Sequence, residues 1–255
     1  MKVVLLAGGL GTRLAEETYK LPKPMVKIGN LPILIHIMNI YSFYGFKNFI
    51  ICGGYKYEEI IKFFENFIDF KLIHKTKHQN IFFSKKNKWE VNIVFTGKKT
   101  NTGGRVLKIK NLIKENPFFL TYGDGLADIN IKTLSNFHNK KKRCIATITT
   151  VKPPGRFGVV KIKKSIVTKF QEKVDTKNVW INGGYFVFDK EIFKYIKKDT
   201  DSLEKDVLTK ITKTKKMHAY KLNKFWQPMD TLRDKNELNK IWKKGTAPWK
   251  RLSKK

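Results

Sequence analysis

Apolar and polar positions along the chain follow two alternating patterns. KVVLLA (2–7) is a short unbroken apolar run stopped by glycines, the pattern of a strand buried on both faces. PILIHIMNIYSFYG (32–45) then places Ile33, Ile37, Ile40 and Tyr44 at helical spacing, with Gly45 as a stop signal. NFIIC (48–52) predicts a second strand and 56–67 a second helix. FFLTY (118–122) is another buried strand, followed by the helical pattern IKTLSNFHNKKK (131–142). CIATITTV, FGVVKI and GYFVFD are rich in β-branched and aromatic residues and predict further strands. This alternation predicts an α/β fold, a doubly wound, Rossmann-like mixed sheet with ligands at the carboxyl ends of its strands. Segment 69–90 is polar, lysine-rich and weakly periodic, and reads as an inserted excursion. The stretch from about 232 to 250 predicts a helical C-terminal segment packing back on the body. With no internal repeat and no Pro/Gly/Ser linker, the pattern predicts a single domain over 1–255.

Composition narrows the function classes. Hydrophobic residues make up 41% of the 255, enough for a full core and too many for a disordered chain. No run of eighteen apolar residues occurs, so no membrane insertion is predicted, and the first apolar stretch is too short for a secretory signal. Cys52 and Cys144 both sit in apolar runs, which predicts reduced buried thiols and a cytoplasmic protein. The net charge of +32 admits a nucleic-acid partner. However, the blocks KKNK (85–88), KKKR (140–143) and KTKK (213–216) are far apart in sequence and lack interleaved aromatics that would stack on bases. No specific nucleic-acid partner is therefore predicted, and the positive field suits small anionic substrates instead.

The first strand runs into Gly8-Gly9-Leu10-Gly11-Thr12-Arg13-Leu14. Glycines after a strand allow backbone N–H groups to approach phosphate oxygens closely. Two familiar phosphate loops do not fit. A P-loop needs Lys-Ser/Thr after its last glycine, and here Thr12-Arg13 follows. A dinucleotide fingerprint needs a third glycine where Leu14 stands, and an acid about twenty residues on that is absent. Lys23 lies one loop further, between Pro22 and Pro24, which stiffen the backbone around a cation. Such a lysine opposite an amide cradle suits a triphosphate, although a solvated lysine is the plainer alternative in so basic a chain.

Acids are scarce, 21 in all, so their positions carry information. Asp124 follows the strand FFLTY between two glycines, and Asp230 sits in FWQPMDTLRD. Two hard oxygen ligands plus phosphate oxygens would hold Mg²⁺. Either aspartate could instead cap a helix or close an Asx turn.

The phrases LLAGGLGTRL and KPM, then TYGDGLADINI, TGGRV, PPGRFGVV, FQEK, INGGYFVF, FWQPMDTLRDK and GTAPWK, resemble those of the glucose-1-phosphate cytidylyltransferases, a group within the nucleotide-sugar pyrophosphorylases. They occur in family order from Met1 to about Lys250. The resemblance implies transfer of a cytidylyl group from CTP to α-D-glucose 1-phosphate with Mg²⁺ as cofactor. By likeness Leu6, Ala7, Gly8, Gly9, Leu10, Gly11, Thr12, Arg13, Lys23, Thr102, Gly103 and Arg105 would bind the nucleotide. Arg13, Lys23, Asp124 and Asp230 would carry catalysis, with Asp124 and Asp230 on the metal. Glu172, Lys173, Asn182 and Gly183 would face the sugar phosphate. The likeness also implies a homo-oligomer, with a hexamer as candidate size. One departure is Val174, where the family usually has proline after Glu-Lys. A uridylyl- or thymidylyltransferase, a basic nucleic-acid-binding module and an inert regulator on the same fold are the competing readings.

Overall fold

The computed structural model of the protein describes residues 1–67, 69–153, 159–163, 166–171 and 179–250. Among these, nine strands form one mixed sheet. Its order is Met217–Leu222, Ala146–Val151, Ile181–Phe188, Phe118–Tyr122, Val3–Ala7, Asn48–Gly53, Trp89–Phe95, Gln79–Ser84 and Phe70–Lys75. Val3–Ala7 lies at its centre, flanked in parallel by Phe118–Tyr122 and Asn48–Gly53. The chain therefore leaves the three central strands on the same side, at Gly8, Gly54 and Gly123.

Alternate residues of the first strand feed two cores. Val3, Leu5 and Ala7 pack with Ile37, Ile40, Phe49, Leu134 and Leu238 on one face. Val4 and Leu6 pack with Val106, Phe118, Ile192 and Val207 on the other. A strand covered on both faces has no polar side, which is why its sequence shows no alternation. The first core is covered by helices Ile33–Phe43, Tyr57–Asn66, Ile131–Asn139 and Leu232–Lys243, the second by Thr102–Lys108 and the turns around Leu203–Lys213. The predicted doubly wound α/β architecture is the one observed.

Two segments take a more definite form than the pattern gave them. The lysine-rich segment 69–90 joins the main sheet: Gln79–Ser84 pairs antiparallel with Trp89–Phe95, and Phe70–Lys75 pairs with Gln79–Ser84 as the edge strand. Its periodicity is masked because the inward positions of Gln79–Ser84 are Asn80, Phe82 and Ser84, of which only one is apolar. Lysines on Phe70–Lys75 suit an exposed edge, where they discourage further strand pairing. The C-terminal helix spans only Leu232–Lys243, and Gly245 then turns the chain at φ 72°. Beyond it Trp249 is buried and stacks on Phe225 at 5.3 Å between ring centres. Two of the basic blocks meet in space, since 140–143 and 213–216 lead into paired strands and the Ile145 N–H donates to the Lys216 carbonyl. Among the described residues no helix is long and apolar enough to cross a membrane.

Candidate active site

The cleft of about 420 Å³ at the carboxyl end of the central strands is lined by the glycine loop, Arg13, Lys23, Thr102, Arg105, Tyr122, Asp124 and Glu204. The loop glycines do different jobs. A Cβ on Gly8 would lie 2.2 Å from Arg105 Nη1, so the space beside Gly8 is filled by a guanidinium. A Cβ on Gly9 would meet nothing within 4 Å, which makes Gly9 the position open to a ligand. Gly11 adopts φ 68°, and a Cβ there would stand 2.8 Å from Thr18 Cγ2. Both facts require glycine.

Arg105 is 4% exposed and holds this loop from behind. Its Nη2 donates to the Gly8 carbonyl at 2.9 Å, and its Nη1 to Thr96 Oγ1 at 2.7 Å and to the carbonyls of Gly97 and Gly53 at 2.8 and 3.2 Å. Burial pulls its pKa below the ordinary guanidinium value.

Asp124 and Asp230 are 106 residues apart in sequence and are brought together by backbone pairing. Gly125–Ala127 pairs antiparallel with Trp226–Pro228, and the Met229 N–H donates to the Asp124 carbonyl at 2.8 Å. Neither aspartate caps a helix. A strand follows Asp124, and the helix after Asp230 is capped by Thr231 in a capping box with Asp234. Both carboxylates instead meet Lys23, whose Nζ lies 2.7 Å from Asp124 Oδ2 and 2.6 Å from Asp230 Oδ1. Burial lowers the Lys23 pKa, but attraction and hydrogen bonds from the two aspartates outweigh it and leave it raised. Arg13 Nη1 reaches Asp230 Oδ2 at 2.8 Å from a side chain that is 71% exposed. Two carboxylates already sharing one cation are a fitting pair of oxygen ligands for Mg²⁺, with its other positions left to water and phosphate. Among the described residues no third His, Cys, Asp or Glu joins them to close a protein-only cage.

Several predicted residues fall elsewhere. Leu10 is 57% exposed and is not part of the cleft wall. Gly103 faces the chain, where a Cβ would stand 2.7 Å from the Asp201 carbonyl. Leu6, Ala7, Gly8, Gly9, Gly11, Thr12 and Thr102 do line the cleft. Asn182 and Gly183 line an adjoining hollow of about 200 Å³ together with Trp226, and this hollow shares Arg13, Tyr122 and Asp124 with the larger cleft. Glu172 and Lys173 lie outside the described residues.

Among the lining residues that the sequence did not single out are Tyr122 and Glu204. Glu204 accepts from Tyr122 Oη at 2.5 Å and from the hydroxyls of Thr102 and Ser202, each at 2.8 Å. Burial pushes its pKa up, yet the bonds from Tyr122, Ser202 and Thr102 prevail and the carboxyl ends below its ordinary value. Burial and the neighbouring Glu204 charge push the Tyr122 phenol well up, so it stays protonated and donates. The only hint in the sequence is the acid-rich stretch DSLEKD (201–206) in an acid-poor chain.

The Nucleotidyl transferase family model matches residues 2–242. The chain is 44% identical over 98% of its length to a glucose-1-phosphate cytidylyltransferase of Salmonella typhimurium (strain LT2), covering 99% of that protein, and equally similar to the protein of that name from Salmonella typhi. Among solved structures, HddC from Yersinia pseudotuberculosis superposes with a TM-score of 0.70 at 23% identity, covering 94% of this chain and 99% of that one. That likeness speaks for the fold alone. The chain belongs to the nucleotidyl transferase family and, within it, to the glucose-1-phosphate cytidylyltransferases.

Proposed function

We propose that this protein transfers the cytidylyl group of CTP to α-D-glucose 1-phosphate, giving CDP-glucose and pyrophosphate. The observation that carries the reading is Lys23 bridging Asp124 and Asp230 at the mouth of a glycine-lined cleft. A phosphate oxygen of the sugar phosphate attacks the α-phosphorus, and the bond to the β-phosphate breaks as pyrophosphate leaves. No side chain is needed as nucleophile, so the work is positioning and charge neutralisation. Gly9 and its neighbours offer backbone N–H groups to the phosphates. Arg13, exposed at the rim, suits the leaving pyrophosphate. Asp124 and Asp230 would hold Mg²⁺, which neutralises charge developing on the phosphates. With both aspartates so engaged, the Lys23 ammonium would be free to donate to phosphate oxygens. Asn182, Gly183 and Trp226 line the hollow beside Asp124 and Asp230, and suit the sugar.

The test offers CTP, UTP, dTTP and GTP in turn with glucose 1-phosphate and Mg²⁺ and follows pyrophosphate release. CTP should be used best. A wide margin in favour of UTP or dTTP would overturn the cytidylyl reading, and no release with any of the four would overturn the reaction class.

A further inference from the structure

The nucleotide cleft and the sugar hollow are joined by one unbroken set of hydrogen bonds. On the nucleotide side the Thr102 hydroxyl donates to Glu204 Oε2 and accepts from the Leu203 N–H at 2.8 Å. In the middle, Glu204 Oε1 accepts from Tyr122 Oη. On the sugar side Tyr122 Oη accepts from Asn182 Nδ2 at 3.1 Å, and Asn182 Oδ1 accepts from the Gly184 N–H at 2.8 Å. Glu204 stands in the π-helical turn Leu203–Leu208, and such widened turns concentrate at functional sites because they push a side chain out of regular helical register. A carboxylate in a cleft for a triphosphate opposes binding by its charge, so its presence there asks for a reason. Glu204 has three hydroxyl donors from three separate segments and no cation among them. Its charge makes each of those bonds stronger than a neutral acceptor would.

We propose that Glu204 is a positioning residue that locks the Thr102 and Tyr122 hydroxyls together, so that the nucleotide and sugar subsites are held in register and each feels the state of the other. The inference rests on the proposed assignment of those two subsites. Glu204→Gln keeps the shape, removes the charge and turns one acceptor into a donor. Tyr122→Phe cuts the same connection one bond further on, and Asn182→Ala removes its far end.

The experiment titrates each protein with CTP and Mg²⁺ in the absence of sugar phosphate, by calorimetry, and then measures kcat with both substrates. Glu204→Gln should weaken CTP binding by roughly tenfold, the scale of one charge-assisted bond, and lower kcat by about ten- to a hundredfold through misalignment. Asn182→Ala, altered only in the sugar hollow, should also weaken CTP. Combined with Glu204→Gln it should add nothing, because the connection is already cut. Tyr122→Phe should behave as Asn182→Ala does, and it decides the matter if Glu204→Gln fails to fold. CTP affinity and kcat unchanged in Glu204→Gln, with only its melting temperature lowered, would overturn the proposal. So would effects of Asn182→Ala and Glu204→Gln that simply multiply. If wild type binds a different nucleotide, the cytidylyl reading fails and the same variants are compared on that nucleotide. If wild type binds none, both readings fall.

Discussion

Lys23 and Arg105 are buried cations beside the same glycine loop, and they are held in opposite ways. Lys23 is pinned by two carboxylates that project from separate loops. Arg105 is pinned by three backbone carbonyls and a threonine hydroxyl, and among the described residues it pairs with no carboxylate. Carbonyl partners are fixed by the backbone and cannot take another ligand without the fold giving way. Carboxylate partners can exchange one cation for another with little change in the chain. The first arrangement builds a wall, and the second is suited to be remade when a substrate arrives.

The difference predicts opposite responses to mutation. Asp124→Asn and Asp230→Asn each keep volume but remove one carboxylate of the proposed metal pair, so turnover should fall by at least about a thousandfold. The melting temperature should stay near wild type, because neither side chain caps a helix or fills a core. Retained turnover in both variants would place the metal elsewhere. Lys23→Ala should cost on the order of a hundredfold in kcat while the chain still folds, and normal kinetics would reduce Lys23 to a structural counter-ion. Arg105→Met should do the reverse. It strands buried acceptors at Gly8, Gly53, Gly97 and Thr96, and should lower stability by about 2–3 kcal/mol in urea unfolding. If Arg105→Met were as stable as wild type, the wall would owe nothing to those bonds.

The smallest predicted effect lies outside the cleft lining. His138 is buried against Thr147 Oγ1 at 2.9 Å. Burial lowers its pKa to about 4, against a smaller upward pull from Asp189 and a further lowering by His218. Below pH 6.5 the unfolded chain takes up this proton while the folded chain resists it, so stability falls as pH is lowered towards 4. Between pH 6.5 and 5 this group should remove about 2 kcal/mol or less. Thermal unfolding of wild type and His138→Gln across that range checks it. An identical slope in both would assign the acid sensitivity to other groups.

The fold was largely legible because its signal is apolar patterning. KVVLLA and FFLTY, buried on both faces, read as strands without ambiguity. The strand Gln79–Ser84, next to the sheet edge, did not, since asparagine and serine occupy two of its three inward positions. Within the site, Asp124, Asp230 and Lys23 were visible from glycine, proline and strand-end context. Their convergence on one point was not, because it depends on the pairing of Gly125–Ala127 with Trp226–Pro228. The reason for a glycine at position 8 was hidden in a similar way. A missing Cβ looks the same in sequence whether it makes room for a phosphate or for Arg105. Glu204 was missed because its partners Thr102 and Tyr122 lie 102 and 82 residues away.

The exchange at Lys23 can be tested directly by a crystal structure with Mg²⁺ and a non-reactive CTP analogue. The ion is expected between Asp124 and Asp230, with Lys23 Nζ moved within hydrogen-bond distance of a phosphate oxygen and Arg105 unchanged behind Gly8. A structure with the nucleotide bound and Lys23 still bridging the two aspartates, the ion lying elsewhere, would contradict it.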